Sequence, residues 1–175
     1  MKNKNVLELY WRDTMKKIAI GKQSFEDIRK KDCFYIDKTD FIKDWWESAD
    51  DVTLITRPRR FGKTLNMDML KCFFSNQYEG RKELFEGLGI WKDEEYRKLQ
   101  GTYPVIFLSF AGIKQTEYSK AVTMIKNEIT DIYNKYDYIM KNDLYNNNEK
   151  IQFKSVWPDM SDEIAQKAIN DLSNY

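Results

Sequence analysis

Residues 52–67 read VTLITRPRRFGKTLNM, and the fold turns on how this stretch is parsed. Val52 to Thr56 is a short β-rich run between Asp50-Asp51 and Pro58, the pattern of a buried strand. From Lys63 to about Asn76 the residues suit a helix that ends in a polar turn. A strand, a basic turn and Gly-Lys-Thr opening a helix is the layout of the phosphate-binding pattern G-x-x-x-x-G-K-[ST]. Gly62, Lys63 and Thr64 fill the last three places, while Arg57 stands where the first glycine belongs.

Each residue type has a chemical reason to be there. Gly62 lets the backbone approach a phosphate and take a conformation costly for other residues. Amides from Gly62 to Leu65 point outward at the helix start, where the dipole favours anions. Lys63 suits a bridge between β- and γ-phosphates, and the Thr64 hydroxyl suits a magnesium ion. A left-handed backbone at Arg57 would cost roughly 1–2 kcal/mol, but Pro58 biases Arg57 toward an extended conformation. Arg59 and Arg60 add positive charge with no acidic residue between Arg57 and Lys63. The candidate cofactor-binding set is Arg57, Pro58, Arg59, Arg60, Phe61, Gly62, Lys63, Thr64 and Leu65, with ATP and Mg2+ as the ligands and Thr64 as the metal ligand. A solvated basic turn before an ordinary helix is the plainer alternative.

Working outward, Met1 to about residue 14 reads as an N-terminal extension, and the domain runs from Met15 to Tyr175. Phe25, Ile28 and Arg29 suit a short helix, and Cys33 to Ile36 a short strand. Asp37 or Thr39 can cap a helix carrying Phe41, Ile42, Trp45 and Trp46. Leu84, Phe85, Leu88 and Ile90 mark a compact region of turns, and Val105 to Phe110 reads as a second strand. Tyr118 to Tyr136 has the clearest helical periodicity. Asn142 to Lys150 reads as a polar loop, and Ser161 opens a last helix. Strands alternating with helices indicate an α/β layout with a parallel sheet.

The bulk numbers narrow the chemistry. With 175 residues, 42% hydrophobic and 33% charged, the chain fits one soluble globular domain. Net charge is +1, so nothing pushes the whole chain toward nucleic acid or an anionic membrane. No apolar run is long enough to span a bilayer, and the expected location is the cytoplasm. Cys33 and Cys72 form no metal-ligand pattern and read as free thiols. The sequence has no histidine, which removes imidazole acid–base work, Ser-His or Cys-His nucleophiles and His-ligated zinc.

Three blocks in order, KKIAIGKQSFEDIRKKDCFYIDKTDFI, ITRPRRFGKTLNM and YPVIFLSFAG, resemble the AAA-ATPase-like family of prokaryotic P-loop proteins, relatives of archaeal ATPases with a Pro-Arg-Arg-x-Gly-Lys-[Ser/Thr] loop. The likeness is good from about Met15 to Gly112 and weak beyond. It implies nucleotide binding at Arg57 to Thr64 in a P-loop NTPase sheet of AAA type flanked by helices, with Arg57 a normal feature of the loop. It also implies that Gly21 to Phe25 and the block from Tyr35 to Thr39 sit near that loop. Asp37 and Thr39 themselves read as helix caps.

Hydrolysis in this class needs a second strand ending in a carboxylate, and Val105 to Phe110 ends in Ser109-Phe110 instead. The resemblance places the acidic strand after a helix like the last one here, so the sheet is expected to be incomplete and the chain to be the N-terminal part of a longer protein. Family members often carry a C-terminal nuclease-like domain of PD-(D/E)xK type as well. The isolated chain is expected to hydrolyse ATP very poorly and to be unstable or self-associating, its partners being the nucleotide and the later part of its own protein. Two other functions compete: a nucleic-acid-binding module using RPRR, against which the neutral charge stands, and an interaction domain with a relic loop.

Overall fold

The structure, a computed structural model, describes residues 16–58, 60–141 and 144–175. The N-terminal extension and Arg59 lie outside the described residues. The chain divides into two compact units, one closing at Val105 and the other running Ile106–Tyr175.

In the first unit β1 (Lys17–Ile18) and β2 (Cys33–Phe34) pair in parallel, Lys17 opposite Cys33 and Ile18 opposite Phe34. The connection between them carries α1 (Phe25–Lys30). Ser24 caps α1 by accepting from the Asp27 amide at 3.2 Å. Glu26 and Asp27 lie in its first turn and Arg29 and Lys30 in its last, the arrangement that complements the helix dipole. After α2 (Asp40–Ser48) comes α3 (Lys63–Phe74), which buries Met69, Cys72 and Phe73 at i, i+3 and i+4. Those three meet Phe25, Ile42, Leu84 and Phe85 in one apolar core. Phe85 stacks on Phe25 with ring centroids 5.2 Å apart and meets Phe73 edge-on at 5.0 Å. The carbonyls of Phe73 and Phe74, left over at the end of α3, accept from the amides of Gly101 and Tyr103 at 2.8 and 2.9 Å. Short 3-10 turns and α4 (Glu94–Leu99), capped by Asp93, complete the unit. Both cysteines are free and buried. Burial pushes the Cys72 thiol up to about 12, so it stays protonated and unreactive.

Asp37 and Thr39 do something other than cap α2. Thr39 occupies the N-cap position with no side-chain capping bond. Instead the Asp37 carboxylate accepts from the Thr39 hydroxyl and amide at 2.7 and 2.9 Å and from the Gly89 amide at 2.6 Å. The Thr39 hydroxyl in turn accepts from the Ile90 amide at 3.1 Å. A Cβ on residue 89 would come within 3.2 Å of the Asp40 carboxylate and 3.4 Å of the Asp37 carboxylate, so a side chain there would crowd both. Burial alone would raise the Asp37 pKa, but the bonds from Thr39 and Gly89 outweigh it and hold the carboxyl below its ordinary 3.8. Asp37→Ala is expected to lower stability by about 1–2 kcal/mol at neutral pH. A carboxyl whose pKa falls on folding stabilises above its ordinary value of 3.8 and loses that contribution as pH drops through the lower folded value. Urea unfolding at about pH 7 and about pH 3 should therefore show the gap between wild type and variant narrowing in acid.

The second unit holds α5 (Tyr118–Lys135), α6 (Asn147–Lys154) and α7 (Asp162–Ser173). Its core joins Ile129, Ile132, Tyr133 and Tyr136 of α5 to Phe153, Met160, Ala168 and Leu172. The Tyr133 hydroxyl donates to the Ala168 carbonyl at 2.6 Å, tying α5 to α7. Lys126 donates to the Met160 carbonyl and pairs with Asp162, both at 2.7 Å. Only the C-terminal half of the expected stripe on α5 is deeply buried; Tyr118 at its start is 82% exposed. The segment read as a polar loop contains α6, started by a capping box in which Asn146 and Glu149 satisfy each other's backbone amides.

Two expected strands do not form. Residues 52–58 and 104–110 carry no ladder, and Tyr103 makes an isolated parallel bridge to Ser75. Val52 and Leu54 are 85% and 82% exposed rather than buried. A β-rich run becomes a strand only where a neighbouring strand takes its amides and carbonyls in register, and no ladder is assigned to either run among the described residues. Among the described residues the sheet is two-stranded and the fold is mixed α/β with helices predominating.

Candidate functional site

The turn between Arg57 and Leu65 is built by three backbone features. Pro58 accepts from the Phe61 amide through its carbonyl at 3.4 Å, which closes the first bend. Arg60 and Gly62 both take positive φ, 71° and 75°, so the chain reverses twice within three residues. Gly62 then serves as the N-cap of α3, left-handed at φ 75°, ψ 19°, and its carbonyl accepts the first helical bond from the Asn66 amide at 2.9 Å. A glycine cap offers no side chain to the amides of the first turn, and none caps them here. A Cβ at Gly62 would meet nothing within 4 Å, so the space over the turn is open.

The side chains follow from that backbone. Lys63 folds back across the turn and donates to the Arg57 carbonyl at 2.6 Å, which joins the two ends of the loop. An ammonium has three N–H donors, so this bond leaves two for an anion. Arg57, Pro58, Arg60, Phe61 and Thr64 are exposed, and Phe61 is 61% so. Leu65 packs on the apolar core and anchors the first turn of α3. Among the described residues no carboxylate forms an ion pair with Arg57, Arg60 or Lys63. Such a turn, with no side-chain cap on the first amides of the helix and with cations that form no ion pair among the described residues, can hold an anion. Among the described residues there is no group of three or more His, Cys, Asp or Glu side chains that could hold a metal ion. No helix among them is long and apolar enough to cross a membrane.

Two flanking blocks meet α3 just past the loop. Phe25 donates its amide to the Asp68 carboxylate at 2.7 Å, and the Tyr35 hydroxyl reaches the Met69 sulfur at 3.2 Å. Asp68 is 7% exposed and also pairs with Lys71. It therefore caps α1 from α3, a role the sequence reading missed. The available signal was a carboxylate set among apolar residues on the inward face of a helix. The left-handed backbone at Arg60 was missed as well, while Arg57, which Pro58 biases away from that region, takes no positive φ.

Comparison with known proteins gives the chain a family. The AAA-ATPase-like family model, described as a predicted AAA-ATPase, matches residues 19–170, and the chain belongs to that family. It is also similar to an uncharacterized protein in the vnfD 5' region of Azotobacter chroococcum mcd 1, 38% identical over 98 residues. That match covers 55% of this chain and 17% of the relative, so the chain spans a small part of the relative's length. No solved structure matches significantly.

Proposed function

We propose that the chain binds ATP with Mg2+ through the turn from Arg57 to Leu65, as the nucleotide-loop portion of a P-loop ATPase of AAA type acting in the cytoplasm. The observation that carries this reading is the left-handed Gly62 under open space, with Lys63 already drawn over the loop. In this reading the amides of Lys63, Thr64 and Leu65 take phosphate oxygens and Lys63 spans the β- and γ-phosphates. Arg57 and Arg60, with Arg59 of the same loop, supply counter-charge. Magnesium prefers oxygen ligands and keeps several waters, so one threonine hydroxyl with phosphate oxygens is a chemically suitable set. It would supply charge neutralisation at the phosphates.

The same reading treats the bared apolar residues Val52 and Leu54 as one face of a strand that pairs with further sheet in the whole protein. Titration calorimetry in magnesium with ATP, ADP and AMP tests the site. Affinity should fall along that series, by about tenfold or more from ATP to AMP, as charge-assisted contacts are lost. Equal affinities for the three would show that phosphates are not what the loop reads, and no binding at all would leave a relic loop.

A further inference from the structure

The second unit contains a cleft of about 650 Å³ between α5 and the segment from Phe153 to Pro158, a size in the range of ligand sites. Asn127, Asp131 and Asn134 line it from α5 at i, i+4 and i+7, so they stand in a row on one helix face. Seven residues of helix extend about 10 Å, the length of about three extended residues. Trp157, a residue 52% exposed, lines the same cleft, and no ring contact or hydrogen bond occupies its indole among the described residues. Asp131 likewise forms no ion pair among them, whereas Asp137, at the end of the row, is 3.4 Å from Lys141.

We propose that this cleft binds an extended segment of a partner protein carrying a single lysine or arginine. The chemistry matches group by group. An asparagine side chain holds one donor group and one acceptor, the complement of a peptide bond, and two of them spaced along a row can hold a short backbone. A free carboxylate with an accessible indole face is the pairing that recognises an ammonium or guanidinium. Lys154 in the same lining opposes a second positive charge, which limits the segment to one basic residue among neutral ones. This site is independent of the nucleotide loop.

The test is fluorescence anisotropy with the labelled peptide Gly-Ala-Lys-Ala-Gly, its glutamate counterpart Gly-Ala-Glu-Ala-Gly and unlabelled spermidine as competitor, on the full chain. Saturable binding of the lysine peptide is expected, with the glutamate peptide about tenfold weaker or more. Asp131→Asn, at an exposed position, should weaken the lysine peptide by a similar factor without moving the urea midpoint. Trp157→Ala should weaken it too. Equal binding of the two peptides, unchanged affinity in Asp131→Asn, or no saturation would overturn the proposal. Displacement by spermidine at the peptide's own affinity would also overturn it, since a bare cation would then suffice without a backbone.

Discussion

Lys63→Ala is expected to weaken ATP binding by about 100-fold or more while the urea midpoint stays nearly fixed. The binding loss follows from what the ammonium can do. Its third bond holds the Arg57 carbonyl and two remain for phosphate. Hydrogen bonds to charged groups contribute about 1.5–3 kcal/mol each, so losing two costs at least a factor of about 100 in affinity. Stability changes little because the one bond lost within the fold, to the Arg57 carbonyl, is solvent-exposed, and the side chain is not part of the apolar core and forms no ion pair among the described residues. Lys63→Arg adds a control: it keeps the charge but replaces a compact ammonium by a wide planar fork, so partial loss is expected. Unaltered ATP affinity in the alanine variant would place the nucleotide somewhere other than this loop.

The largest stability effect is expected at Asp68. Its buried carboxylate takes the Phe25 amide at 2.7 Å and pairs with Lys71, whose side chain is 23% exposed. Asp68→Ala removes both interactions and leaves the first amide of α1 without its acceptor in a buried setting. Breaking one side of such a pair costs about 3 kcal/mol or more, seen as a lower urea midpoint with the slope unchanged. Asp68→Asn should recover part of the loss, because an amide oxygen still accepts from Phe25 while the charge is gone. If both variants unfold like wild type, α1 is not held by this contact.

The helices that could be read in advance are those whose pattern is local. Tyr118 to Tyr136 was set by its 3.6-residue period and came out as Tyr118–Lys135, and the helix after Gly62 came out as Lys63–Phe74. Helix Asn147–Lys154 was obscured by asparagines that favour turns, although Asn146 and Glu149 already spelled a capping box three residues apart. The segments at 52–56 and 105–110 failed for the opposite reason. Their composition is right for strands, but pairing depends on what lies alongside, and that is not written in the run itself. The junction at Gly62 and Lys63 was legible because glycine, lysine and a helix start must coincide there. The cap from Asp68 to Phe25 spans 43 residues of chain, a distance over which no local pattern speaks.

The left-handed backbone at Arg60 carries a thermodynamic implication. Glycine would occupy that conformation without strain, whereas a side chain there costs roughly 1–2 kcal/mol. The turn thus keeps a guanidinium at Arg60 at the expense of conformational ease, and under the proposed nucleotide-binding reading that expense is the counterpart of charge offered to phosphate. If the proposal holds, folding stability and phosphate affinity pull this one position in opposite directions.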